Sequence, residues 1–429
     1  MSDSRLKKNE LLEVVDGHPW IQSVHVNKIR HLEAFDICIC DNTAPRHLMV
    51  TGPNGSGKTS LLLAMKGLLE KMAADKGGLG FELPSLFEKT RYDLQLAKQR
   101  GDQQKIREAN LVFDDVQKRY LTWFGELTLS LHEDRSLFER VQKKNFIIAY
   151  YPDNREANFH AVQTPAKPKF KHGMSQNNGD QFLQFLVNLK IQQALAKNEG
   201  KNCDADDIEA WFESFADVLR RLFKDDALRL EFNYRDYSFE IVMGEVKFPF
   251  TGLSAGYAAA MDIVADLMLR MQTLNRLTRV FDMHGIALID EVETHLHLAL
   301  QQDIMPFLTT VFPKVQFIVS THSPFVLNSI PNAAIYDLKN RQCVQNLTEY
   351  SYEALAEGYF GVETDSGELK MRLDNLEELL SKQSWTDSDK LLIRDLIDDF
   401  EKIPDGIAPA QKTRFHEMKR QYLLAGGKL

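Results

Sequence analysis

Gly52-Pro53-Asn54-Gly55-Ser56-Gly57-Lys58-Thr59 has the spacing G-x-x-x-x-G-K-[ST]. That spacing makes a cradle for a triphosphate. The glycines let the backbone wrap closely and turn its N–H groups toward phosphate oxygens, so the candidate binding set is Asn54, Gly55, Ser56, Gly57, Lys58, Thr59 and Ser60. Lys58 is a point charge for β- and γ-phosphates, and Thr59 offers a hydroxyl to Mg²⁺. Much later, the apolar run Gly285 to Ile289 ends in Asp290-Glu291. Asp290 is placed to hold Mg²⁺, directly or through water. Glu291 is placed to accept a proton from an attacking water. A further apolar run, Val315 to Ser320, ends in Thr321-His322-Ser323-Pro324. A histidine at a strand tip is more often structural. In this order, after an acid-tipped strand, His322 is a candidate for the γ-phosphate or the attacking water.

Two weaker signals lie between. Leu253-Ser254-Ala255-Gly256 precedes a helical run, and alone it reads as a helix N-cap serine. His295 and His297 suggest a metal, but residues two apart do not share a helix face, so a metal role is rejected.

These residues need a frame to hold them. His47 to Thr51 reads as a short buried strand, and Ser60 to Met65 opens a helix whose N-terminus faces the phosphates. Trp20 to Val26 and Phe35 to Cys40 read as a hairpin beside the nucleotide's base, with Arg30 or His31 as candidates to stack on it. Residues 84–124 read as an antiparallel helical hairpin with Leu94, Ala97, Ile106 and Leu111 in its seam. It is either a solvated insertion or a surface for a partner or DNA. Phe146 to Tyr151 is a buried strand ending in a polar turn, where Arg155 either approaches nucleotide or makes a turn salt bridge. Lys167 to Gly173 is a basic loop, either a flexible surface or a contact for a phosphate backbone. Trp211, Phe212 and Phe215 form a stripe that reads as core.

The chain has 429 residues, 44% of them hydrophobic and 26% charged, which suits a globular protein of two or three domains with a large core. Net charge is −9, which argues against a surface that coats nucleic acid throughout. None of the four cysteines forms a C-x-x-C pair. No apolar run approaches a membrane span, and Met1 to Glu13 lacks a signal-peptide block, so a cytoplasmic protein is expected.

Taken together, these motifs resemble the ABC-type ATPase head of SMC-like proteins and of AAA-type ATPases in bacterial anti-phage defence. The phosphate loop is similar to that family's Walker A motif, and Ile286 to Glu291 to its Walker B motif with the catalytic glutamate. Glu293 to His297 resembles the D-loop, His322 the switch histidine and Leu253 to Gly256 the signature. Tyr257 stands where ABC transporters carry Gln or Glu, and no clear Q-loop is present; Gln142 and the Tyr151–Arg155 turn are its candidates. The fold implied is α/β: a P-loop NTPase of ABC/SMC-head type with a mixed sheet, a helical insertion and a helical C-terminal tail. The expected divisions are an N-terminal lobe at 1–80, an insertion with connecting strands at 81–244, a C-terminal lobe at 245–347 and a partner-binding tail at 348–429.

The resemblance implies an ATPase using ATP and Mg²⁺, with Lys58, Glu291 and His322 catalytic and Thr59 and Asp290 on the metal. It implies a homodimer or higher oligomer of heads, in which ATP on one subunit meets Ser254, Ala255 and Gly256 of another. Tyr350 to Glu353 and Gly358 to Gly361 resemble the tails of stand-alone defence ATPases, of retron-associated or Septu type with PARIS-type sensors as neighbours. Such an ATPase senses phage infection and controls a separate effector, an HNH nuclease or another toxin; DNA or nucleoprotein is a further candidate partner. The alternative is an SMC-like repair or recombination ATPase acting on DNA ends. Asp387-Ser388-Asp389 reads as a helix start, not as a nuclease D-x-D at a strand tip.

Overall fold

The computed structural model describes residues 18–40, 44–132, 137–155, 159–171, 173–272, 281–344, 347, 367–382, 384–402 and 409–424. Residues 1–17, His172, the motifs at 350–353 and 358–361 and the stretch 403–408 lie outside them. The chain divides into two compact units, 1–349 and 350–429. Among the described residues no helix is long and apolar enough to cross a membrane.

The first unit is built on a six-stranded sheet. β3 (His47–Thr51), β5 (Ile147–Tyr151), β9 (Gly285–Ile289), β10 (Val315–Ser320) and β11 (Ala333–Asp337) run parallel, and β12 (Gln342–Val344) adds antiparallel to β11. Their order is β12-β11-β3-β10-β9-β5. A parallel sheet is covered on both faces, so its strands are apolar throughout instead of alternating. Accordingly β9, β10 and β11 are buried at every residue.

One cover is α1 (Lys58–Ala74). Its Leu61, Leu62, Met65 and Leu69 pack with Val50, Leu288 and Ile318 of the sheet. The same cluster takes in a second sheet of order β2-β1-β4, formed antiparallel by β1 (Trp20–Ile29), β2 (Leu32–Cys38) and β4 (Leu127–His132). The turn between β1 and β2 rests on the phosphate loop: the His31 Nε2 lies 3.2 Å from the Ser56 carbonyl oxygen.

α2 (Leu79–Arg100) and α3 (Gln103–Phe124) form the expected hairpin. Gly101 turns it in a left-handed conformation, and the Asp102 carboxylate caps α3 by accepting from the Gln104 and Lys105 N–H groups. The seam differs from expectation on α3. Leu111 is 74% exposed, whereas Val116 is buried and Phe87 stacks on Tyr120 with centroids 4.4 Å apart. The reason is periodicity: five residues from Ile106 to Leu111 carry the side chain to another helix face, while steps of three, four or seven keep it on one.

After α4 (Leu137–Gln142) and β5, the chain runs along β5's outer edge. The Tyr150 N–H donates to the Met174 carbonyl at 2.8 Å. The basic loop is pinned here. Lys171 pairs with Asp180 at 3.0 Å, and the Lys169 N–H donates to the Gln181 amide oxygen. α5 (Phe182–Asn198) and α6 (Asn202–Phe223) then pack together, with Trp211, Phe212 and Phe215 buried. β6 (Arg229–Asn233), β7 (Ser238–Met243) and β8 (Val246–Pro249) form a small antiparallel sheet. α7 (Ala255–Met271) follows and lies against β5; α8 (Leu298–Val311) packs on α7, and α9 (Pro324–Leu327) follows β10.

The second unit holds α10 (Gly367–Leu380), α11 (Asp387–Glu401) and α12 (Pro409–Leu424), around Leu376, Ile393, Ile397, Phe400, Phe415 and Tyr422. Asp389 opens α11. Its carboxylate accepts from the Thr386 N–H while its own N–H donates to the Thr386 hydroxyl, a reciprocal capping box.

Candidate functional site

The parallel strands bring distant motifs to one edge. Ser320 pairs with Val50 in register, Ile289 with Val319 and Tyr151 with Ile289. The phosphate loop, Asp290-Glu291, Thr321-His322 and the Tyr151–Arg155 turn therefore leave the sheet side by side at its C-terminal edge, where open α/β sheets bind ligands.

The phosphate loop needs its glycines for stated reasons. Gly57 ends the loop with φ at 100°, and a Cβ there would meet the Leu32 Cδ1 at 2.8 Å. Gly52, with φ at 141°, would meet the Ser56 Oγ at 2.8 Å. Lys58 bends back into the loop. Its Nζ donates to the carbonyls of Gly52 at 3.0 Å and Pro53 at 3.4 Å and lies 2.6 Å from the His322 Nε2. Burial pushes the ammonium's pKa down, against the opposing pull of Glu291, Glu293 and Asp290. Burial and then the Lys58 charge hold His322 below the usual histidine range. Its Nε2 is 3.6 Å from the Glu291 Oε1, too long for a hydrogen bond, so Lys58 is its partner.

Asp290 is fully buried. Its Oδ1 accepts from the Ser320 hydroxyl at 2.5 Å, and the same Ser320 oxygen accepts from the Glu291 N–H at 2.7 Å. Asp290 Oδ2 has no hydrogen-bond partner among the described residues. A buried carboxylate oxygen left open calls for a partner. That oxygen and the exposed Thr59 hydroxyl are donors of the kind Mg²⁺ takes. Gly55, whose missing side chain faces open space at φ 79°, leaves room for phosphate. The residues present thus fit ATP and Mg²⁺. His295 lies in a turn and His297 at the N-cap of α8, so neither stands on a helix as the spacing argument assumed.

Three side chains have partners that the sequence did not name. Ser320 ties Asp290 to Glu291; it was visible only as the last residue of an apolar strand. The Glu293 carboxylate accepts from the His322 N–H at 2.5 Å, fixing the histidine's backbone. Arg155, expected either to approach nucleotide or to make a turn salt bridge, makes no ion pair among the described residues. Its guanidinium donates to the main-chain carbonyls of Pro152, Asp290, Glu291 and Val292 at 2.8 to 3.1 Å. Of the Q-loop candidates, Gln142 ends α4 ahead of β5's N-terminal end, opposite the site, whereas the Tyr151–Arg155 turn adjoins Asp290.

α7 begins at the signature-like residues. Ser254 stands at its N-cap with an extended backbone and no side-chain capping bond, and Ser254 and Ala255 are exposed. Gly256 is buried: a Cβ would meet the His295 carbonyl oxygen at 3.0 Å and the Leu300 Cδ1 at 3.2 Å. Glycine lets the helix's first turn seat on the D-loop-like segment. Tyr257 stacks on Phe223 with centroids 4.5 Å apart, which explains an aromatic at that position. Further along, Asp262, Asp266 and Arg270 recur every four residues as a polar stripe, with both aspartates buried and Arg270 partly so. Asp266 accepts from the Tyr151 hydroxyl at 2.7 Å, the Arg270 Nε at 2.6 Å and the Asn178 N–H at 2.8 Å. Tyr151 in turn accepts at its carbonyl from the Asp290 N–H at 2.8 Å. One side chain and one carbonyl therefore connect α7 to the acid-tipped strand. Burial pushes Asp262 up to about 7.

A family model described as "AAA domain, putative AbiEii toxin, Type IV TA system" matches residues 48–328. The chain belongs to this AAA-domain family. The match begins within β3 and ends just past α9, so it contains the phosphate loop and the tips of β9 and β10. Among named relatives of this AAA-domain protein, the Retron Ec83 probable ATPase of Escherichia coli is 43% identical over 91 residues, 21% of this chain. The Septu protein PtuA of Bacillus mycoides (strain KBAB4) is 30% identical over 179 residues, 40% of this chain. The matched stretches span 17% and 25% of those relatives' own lengths. Solved structures similar to it include an SMC head bound to the C-winged helix domain of ScpA, at TM-score 0.37 and 14% identity over 74% of this chain and 93% of that one. The SMC head domain from Thermotoga maritima gives TM-score 0.35 and 13% identity, over 74% and 94%.

Proposed function

We propose that the chain binds and hydrolyses ATP and that ATP joins two copies head to tail. The supporting observation is the convergence of Lys58, Asp290, Glu291 and His322 at one sheet edge, while Ser254 at the start of α7 stands exposed and without a capping bond. The backbone of residues 54–60 and the Lys58 ammonium hold the phosphates. Thr59 and Asp290 would hold Mg²⁺, which would supply neutralisation of phosphate charge. Glu291 takes the proton of the attacking water, and His322 faces the γ-phosphate. The signature residues Ser254, Ala255 and Gly256 of a second copy complete the phosphate's surroundings with the N-terminus of α7.

The names of the relatives carry a further step. A retron ATPase and a Septu protein both match, so we place this ATPase in anti-phage defence, gating a separate effector, a nuclease or another toxin. The α2–α3 hairpin is consistent with this choice over DNA-end repair: 22-residue helices reach only about 33 Å, too short for a long coiled-coil arm.

Glu291→Gln tests the scheme. It should bind ATP, fail to turn it over and elute as a dimer in light-scattering chromatography with ATP and Mg²⁺. A variant that stays monomeric at saturating ATP and still hydrolyses it would sink both the base and the dimer. Affinity capture of the native protein tests the effector: a co-purifying nuclease or toxin is expected, and an exonuclease of the repair type would favour a DNA-end function.

A further inference from the structure

We propose that Arg155 is a positioning residue for hydrolysis: its guanidinium fixes the backbone of Asp290, Glu291 and Val292 and so aims the Glu291 carboxylate. The inference rests on the reading of Glu291 as the base.

Arg155 follows β5 by four residues and is 5% exposed. One nitrogen donates to the carbonyls of Pro152 and Asp290 at 3.1 and 2.8 Å; another donates to those of Glu291 and Val292, each at 3.0 Å. Three successive carbonyls of the hydrolytic turn thus share one side chain. Burying a cation to bond only neutral main-chain groups is costly. Burial lowers the guanidinium's pKa, and the field of Glu293, Asp262, Asp290 and Asp153 opposes that only in part.

The turn needs such a clamp. Glu291 has φ at 44°, the left-handed region, which a residue with a Cβ occupies only where its surroundings over-determine it. From β10, Ser320 fixes the turn on its N–H side: its hydroxyl accepts from the Glu291 N–H and its carbonyl from the Val292 N–H at 3.1 Å. From the other neighbouring strand, Arg155 fixes the carbonyl side. The two grips fall on opposite polar groups of the same residues. Lysine cannot substitute, because its ammonium lacks the planar fork that reaches several carbonyls at once.

The test uses the full chain with Arg155→Lys and Arg155→Met, measuring Mg²⁺-ATP affinity with a fluorescent nucleotide analogue and hydrolysis under single turnover. The inference expects affinity within about threefold of wild type and a rate lower by on the order of 10²-fold. It expects Arg155→Lys to add no further loss in a Glu291→Gln background, since both act through one group. Hydrogen exchange of the 291–296 amides should accelerate in Arg155→Lys without nucleotide. Should Arg155→Met fail to fold, Arg155→Lys decides. The inference is overturned if Arg155→Lys hydrolyses at the wild-type rate, or if its losses fall on affinity and melting temperature and add to those of Glu291→Gln. A wild-type protein that binds no ATP, or a Glu291→Gln variant that hydrolyses normally, overturns the nucleotide or base reading and is seen without any Arg155 variant.

Discussion

The Lys58 ammonium lies 2.6 Å from the His322 Nε2, although 264 residues separate them in the chain. This contact needs the lone pair of a neutral imidazole, which burial and the Lys58 charge both favour. A triphosphate entering the loop replaces a cation beside His322 with an anion, which raises its pKa. ATP binding should therefore take up protons near and below the ordinary histidine value of about 6.5, and affinity should tighten as pH falls toward it. Calorimetry in two buffers of different ionisation enthalpy measures the uptake. The nucleotide's own titration is common to wild type and His322→Gln and cancels in their difference. Equal proton uptake by the two proteins would contradict the prediction.

Ser320 holds both carboxylate-bearing residues, so Ser320→Ala should cost more than one hydrogen bond. The Glu291 N–H loses its acceptor and Asp290 loses the donor on Oδ1. Hydrolysis should fall by about 10–100-fold, with a higher Mg²⁺ concentration for half-maximal rate. An unchanged Mg²⁺ dependence would show that Ser320 does not orient Asp290.

At Gly256 the first turn of α7 rests on the His295 carbonyl. Gly256→Val puts a branched side chain into that contact and should lift the turn away. Nucleotide binding to a single copy uses residues 54–60 and should survive, while the ATP-dependent dimer and its hydrolysis are lost. Chromatography with ATP, alongside a nucleotide-binding titration, separates the two effects. A dimer of wild-type affinity would place the signature outside the interface.

Acid stability should depend on His47. Burial holds this imidazole at about 4, and its Nδ1 accepts from the Phe317 N–H at 3.0 Å. Its folded pKa is depressed, so its stabilisation is complete above the unfolded value of about 6.5 and is lost as pH falls from there toward 4. The loss amounts to up to about 3 kcal/mol, less whatever the ring's partial exposure screens. Urea midpoints at pH 7.5 and 4.5 measure it, and His47→Gln should flatten the slope. A wild-type midpoint that does not move would refute it.

The parts of the site that chemistry confines to a few residue types were legible in the chain. Lys58, Thr59, Asp290, Glu291 and His322 each end or follow an apolar run, and parallel pairing brings those ends together. Residues that act through the main chain were not legible. Arg155 bonds carbonyls, which every residue carries, so no sequence pattern names its partners. Ser320 looks like any strand-terminal serine until β10 is seen beside β9. In the fold, the apolar runs of the central sheet declared themselves. The α3 seam did not, because Leu111 is as apolar as Val116 and only helix phase separates the 74% exposed residue from the buried one.

Both borders of the large sheet are blunted. Along β5 the Met174 carbonyl already accepts from the Tyr150 N–H, and Arg270 donates to the carbonyls of Ile148 and Gly173. At the far border β12 runs for three residues. A long bare row of main-chain groups invites another chain to extend the sheet. Among the described residues the large sheet therefore offers another chain only a short stretch to extend, which disfavours unregulated polymerisation through it.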